Sequence, residues 1–118
     1  MAIIGTHTLL YTSRPEELRA VLRDVFGFPH VDAGGGWLIF ALPPAEIAVH
    51  PADEGGRAEL YLMCDDVAAT VTALRAKGFE AARPVSDQGW GLLTAITLPG
   101  GVELGLYQPR HPTALPAP

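Results

Sequence analysis

Leu18-Arg19-Ala20-Val21-Leu22-Arg23-Asp24-Val25-Phe26-Gly27-Phe28 carries apolar side chains at Leu18, Val21, Leu22, Val25 and Phe26, the i, i+3, i+4, i+7, i+8 spacing of one helix face. Gly27 supplies the stop. Working backward, Ile3 to Thr12 is rich in β-branched and aromatic residues and runs into Ser13-Arg14-Pro15-Glu16, which reads as a capping box with proline in the first turn. A strand therefore leads into a helix. Working forward, His30 to Asp32, Trp37 to Leu42 and Glu46 to His50 are short strand-like runs separated by Gly34-Gly35-Gly36 and Pro43-Pro44. The first half reads βαβββ.

The same order then recurs. Pro51 to Arg57 is polar and acidic, as suits an exposed linker, after which Glu59 to Cys64 reads as a strand. Asp65 or Asp66 caps a helix whose stripe is Val67, Val71 and Leu74, and Gly78 ends it. Phe79 to Pro84, Gly91 to Leu98 and Val102 to Tyr107 complete a second βαβββ. His7 lies 52 residues before Glu59, Gly27 lies 51 before Gly78, and Pro43 lies 56 before Pro99, a drift that loop insertions produce. Gly-Phe follows each helix, and Leu-Pro precedes each final strand. The expected fold is α+β, with two tandem βαβββ modules forming an incomplete barrel around a central cleft. Module 1 spans residues 1–50, a linker 51–57 and module 2 58–108, within one domain, 1–108; residues 109–118 form a Pro-rich tail.

Composition bounds the function. A chain of 118 residues is one domain's worth, and 48% apolar against 18% charged residues with mean hydropathy +0.21 lies outside the disordered range. Eight Lys and Arg against thirteen Asp and Glu give a net charge of −5, so nucleic-acid binding through phosphate contacts is not expected. Gly, Pro or charge interrupts every apolar segment before 18 residues, so no membrane span is expected. The lone Cys64 and the lack of a leader pattern at Met1 point to a cytoplasmic setting. Neither a phosphate-binding G-x-x-x-x-G-K loop nor a G-x-S-x-G elbow is present.

His7-Thr8-Leu9-Leu10, Leu22-Arg23-Asp24-Val25-Phe26-Gly27-Phe28, Glu59-Leu60-Tyr61-Leu62-Met63-Cys64-Asp65-Asp66-Val67 and Leu98-Pro99-Gly100-Gly101-Val102-Glu103-Leu104 together resemble the vicinal oxygen chelate superfamily. That superfamily includes glyoxalase I, bleomycin-resistance proteins, fosfomycin-resistance enzymes and extradiol dioxygenases. The resemblance implies a divalent metal in the cleft (Mn, Fe(II), Ni, Co or Zn), with two open positions for neighbouring substrate oxygens. It puts His7 on the first ligand position and Glu59 on the third. Pairing the fourth strand with the eighth at an offset of 57 matches Glu46 with Glu103, Ala48 with Gly105 and His50 with Tyr107. The family's middle positions are thus vacant, and a bulge or a one-pleat shift would be needed to make Glu103 the remaining ligand.

Each residue has a plainer reading beside the functional one. His7 in an apolar strand is a metal ligand or a hydrogen-bonded structural histidine, and Glu59 is a ligand or a solvated edge residue. Glu103, between Val102 and Leu104, needs a metal or a cation if buried. His50 and Tyr107 are substrate-binding candidates from the ends of their strands, while Trp90, in the Asp87-Gln88-Gly89-Trp90-Gly91 loop, is expected at the cleft mouth. Core packing is expected for Trp37, an inert thiol for Cys64, and simple exposure for His30 and His111.

Two functions follow from the resemblance. One is a metal-dependent lyase or isomerase, or an extradiol-type dioxygenase, in which His7, Glu59 and Glu103 hold the ion. The alternative is a metal-free, bleomycin-resistance-like protein that sequesters a drug or metabolite, with the acidic balance favouring a cationic ligand. Either way the expected partners are a small molecule and a second copy in a homodimer.

Overall fold

The computed structural model describes residues 7–49, 51, 53–54 and 57–115. The second half forms as its periodicity predicts except at Phe79 to Pro84. Strand β3 (Tyr61–Met63) leads into helix α2 (Val67–Ala76), followed by β4 (Ser86–Asp87), β5 (Gly91–Leu98) and β6 (Val102–Pro109). The sheet order is β3-β6-β5-β4, with β3 parallel to β6 and the other pairs antiparallel. Asp66 caps α2, its side chain accepting from the Ala69 N–H at 3.0 Å. The β5–β6 ladder pairs residue for residue from Gly91↔Pro109 to Leu98↔Val102, so it contains no bulge of the kind needed to move Glu103 into the ligand position.

Strand alternation divides this sheet into two faces. Ile96, Leu98, Leu104 and Leu106 face the helices and are at most 2% exposed, packing with Val67, Val71 and Leu74 of α2. Each such aliphatic burial stabilises by about 1.5–3 kcal/mol. The single buried hydroxyl there, Thr94, donates to the Arg83 carbonyl at 2.7 Å. The expected strand Phe79 to Pro84 reduces to one bridge, Ala81↔Ile96, because Pro84 has no N–H to continue a ladder; pairing resumes at Ser86.

The first half contributes helix α1 (Pro15–Asp24) and the hairpin of β1 (His30–Asp32) with β2 (Leu38–Phe40). Leu18 of α1 enters the common core, with Val21, Leu22, Val25 and Phe26 packed beside it. No side chain of the expected Ser13–Glu16 box caps α1. Instead the Thr12 hydroxyl accepts from the Arg14 N–H at 3.1 Å and donates to the Pro99 carbonyl at 2.8 Å, joining the halves. Gly100 has φ +85°, and a Cβ there would overlap the Thr12 hydroxyl, so glycine is required on both counts.

The outer strands expected in the first half differ. Residues 7–13 and 41–49 carry no ladder. Their side chains are correspondingly bare: Tyr11 is 84% exposed, Ile47 95% and Val49 94%. Trp37 is also exposed rather than in the core, lying under the Arg19 guanidinium at 4.6 Å from its ring centre. Among the described residues the architecture is α+β, with two helices, two sheets and no closed barrel. Among the described residues no helix is long and apolar enough to cross a membrane.

Candidate functional site

The face of the larger sheet opposite the helices presents Tyr61 and Met63 from β3, Leu93, Ala95 and Thr97 from β5, and Glu103, Gly105 and Tyr107 from β6. These residues alternate with the buried core positions, so the same pattern that builds the core aims this set outward. A cavity of about 360 Å³ opens on this face, with Glu59, Tyr61, Arg83, Glu103 and Gly105 in its lining.

Both carboxylates of the cavity already have partners. Glu103 pairs with Arg83 at 3.0 Å, each about half exposed. Glu59 accepts a hydrogen bond from the Tyr61 hydroxyl and has the Arg57 guanidinium 3.8 Å away. That bond, followed by burial, raises the Tyr61 phenol above its ordinary value. The Tyr61 ring lies across Gly105, where any Cβ would fall inside the ring atoms. The vacant ligand position of the sequence is therefore filled space.

Farther along β6, Tyr107 gathers an aromatic cluster. Tyr61 and Trp90 meet its ring edge-to-face at 5.8 and 6.0 Å, and His111 stacks on it at 6.1 Å and 22°. The Tyr107 hydroxyl donates to Glu46 Oε1 at 3.4 Å, and the Ala114 N–H donates to Glu46 Oε2 at 2.8 Å. Burial first, then the Glu46 charge, raise the Tyr107 phenol. Arg110 ties the following segment down, through its N–H to the Trp90 carbonyl at 2.9 Å and its guanidinium to Asp87 at 2.8 Å. The Gly89 N–H, and then Arg110, hold the Asp87 carboxyl below the usual carboxylate range.

Of the residues singled out from sequence, Glu59 and Glu103 line one cavity, and Trp90 and Tyr107 touch. His7 is exposed, in a stretch without a ladder, and His50 lies outside the described residues. Tyr61, Arg83, Glu46 and His111, none of them a site residue expected from sequence, also line the cavity or join the cluster. Alternation from Glu59 puts Tyr61 on the cleft face, but Arg83 and Glu46 come from irregular segments with no periodicity to follow. His111, expected to be simply exposed, is instead a ring of the cluster, because backbone bonds hold the tail over Tyr107.

The donor set can be tested against the metal that the sequence resemblance implies. Among the described residues, no group of three or more His, Cys, Asp or Glu is close enough to hold an ion. A guanidinium neutralises Glu103, and an aromatic ring fills the Gly105 position. As arranged in this chain, these residues do not fit a divalent cation.

The chain is similar to TnmS3, an antibiotic binding protein from Streptomyces sp. CB03234, at 26% identity over 92% of this chain and 98% of that one, with a TM-score of 0.66. It is also similar in fold to lactoylglutathione lyase from Agrobacterium tumefaciens, at 18% identity over 89% of this chain and 92% of that one, with a TM-score of 0.62. No curated protein matches in sequence. Residues 6–106 match the family described as the Glyoxalase/Bleomycin resistance protein/Dioxygenase superfamily, and the chain belongs to that superfamily.

Proposed function

We propose that this chain is a metal-free binding protein whose cleft holds a small cationic, aromatic molecule. The observation that carries the reading is the Tyr61 ring lying over Gly105, which gives the cleft an aromatic floor where a metal site would need a ligand. The neighbouring cluster of Tyr107, Trp90 and Tyr61 offers flat surfaces, and the carboxylates of Glu46 and Glu59 supply negative charge. The likeness to an antibiotic binding protein supports a small-molecule ligand, and the net charge of −5 favours a cationic one.

Binding of this kind needs no bond making. Stacking supplies affinity, the carboxylates select charge, and the half-exposed position of Trp90 lets a ligand enter from solvent. The bare apolar segments around Tyr11, Ile47 and Val49 support a homodimer in which a second copy covers them. The unpaired Cys64 suits a reducing, cytoplasmic location.

One observation favours the metal-dependent lyase or isomerase: Glu59 and Glu103 line the same cavity. In that reading His7, Glu59 and Glu103 would hold the ion, and Arg83 would have to release Glu103. Metal analysis of protein purified without chelator, alongside titration with a cationic aromatic compound, separates the two. Substoichiometric metal with micromolar binding is expected. Stoichiometric metal that disappears in His7→Ala and Glu103→Ala would overturn the proposal.

A further inference from the structure

The tail beyond β6 is a strap across the aromatic cluster. Its first residue is fastened twice, to the Trp90 carbonyl and to Asp87, and Ala114 is fastened to the Glu46 carboxylate. Between these fastenings His111 lays its imidazole nearly parallel to the Tyr107 ring. One face of Tyr107 is thus covered by a planar, nitrogen-bearing ring of the chain itself, while Tyr61 and Trp90 approach that same ring edge-to-face. Glu46, hydrogen-bonded to the Tyr107 hydroxyl, stands at the ring's polar end.

We infer that the place held by His111 against Tyr107, whose hydroxyl bonds Glu46, is the subsite for the ligand's planar cationic ring, and that the 110–115 strap must yield for the ligand to stack. This inference rests on the binding reading above and names the part of the ligand recognised and the group that competes with it. Three features carry it. An imidazole is the chain's nearest chemical stand-in for a flat, protonatable heterocycle. Stacking on a tyrosine face with a carboxylate in reach is the arrangement that favours a delocalised cation over a neutral ring. The strap is held by a few exposed bonds and no core side chain, so a ligand of modest affinity can displace it.

The test uses proflavine, a planar acridine cation, with fluorescein as the planar anion, on the full chain and three variants: His111→Ala, Glu46→Gln and a chain ending at Arg110. Anisotropy titrations should give proflavine a severalfold tighter Kd with His111→Ala and with the shortened chain. Glu46→Gln should weaken proflavine binding, and fluorescein should gain nothing in any variant. Unchanged thermal midpoints for His111→Ala show that the fold is intact. Equal proflavine affinity in wild type, His111→Ala and the shortened chain would overturn the subsite while leaving the cleft reading standing. A parallel gain for fluorescein would overturn the cationic assignment. Proflavine bound by none of the four proteins would overturn both the subsite and the binding reading beneath it.

Discussion

The aromatic ring of Tyr61, on β3, lies directly over the α-carbon of Gly105, its register partner on β6. The contact is possible only because residue 105 has no side chain. Adding one methyl group forces the ring off its strand or spreads the β3–β6 pair. Gly105→Ala is expected to lower unfolding free energy by about 1–3 kcal/mol, read as a fall in denaturant midpoint with little change in slope. Removing the ring as well, in the Tyr61→Ala double variant, should recover part of that loss. An unchanged midpoint for Gly105→Ala would show that the ring moves aside freely.

The phenols of Tyr61 and Tyr107 are both held above the ordinary value of 10, the first chiefly by its bond to Glu59 and the second by burial. A raised folded value means that the stabilisation is present in full below the unfolded phenol's pKa and is lost as pH rises through the folded one. Stability should therefore decline above pH of about 10, with phenolate absorbance from these two residues lagging that of the unfolded chain. Glu59→Gln should bring the Tyr61 signal earlier. If it does not, the Tyr61–Glu59 hydrogen bond is absent in solution.

Burial pushes the Cys64 thiol up, outweighing a hydrogen bond involving Thr70 that pulls it down. Cys64 should react with iodoacetamide at pH 8 about tenfold or more slowly in the folded chain than in urea. Equal rates would mean that the edge of β3 opens readily.

Asp66 accepts the Ala69 N–H at the start of α2. Asp66→Ala is expected to cost about 1 kcal/mol, whereas Asp66→Asn or Asp66→Ser should retain most of the stability. A substitution series that instead followed charge would point to the helix dipole as the larger effect.

Much of this was legible in the amino-acid order because it depends on local periodicity. Val67, Val71 and Leu74 had to share a helix face, and the alternation from Leu92 to Leu98 and from Val102 to Tyr107 had to yield one apolar and one open sheet face. What could not be read was anything set by partners distant in sequence. Glu103 is buried or exposed, ligand or ion-pair member, according to whether a cation reaches it, and Arg83 does so from an irregular segment 20 residues away. His111 looks like tail until Arg110 is seen bound to Asp87. The runs at 7–12 and 46–49 have strand composition, yet a ladder also needs a partner strand in register, and composition says nothing of which strand that is.

The hydroxyl bridge from Thr12 to Pro99 closes a loop of 87 residues. On a ribosome adding about 5–20 residues per second, Thr12 waits roughly 4–17 s before Pro99 exists to receive it. During that interval the nascent first half has a helix face and two greasy extended runs but no sheet to lie on. Docking of the first half against the C-terminal hairpin has to await the synthesis of Pro99. A ribosome stalled late in the message leaves behind a fragment that chaperones and proteases recognise.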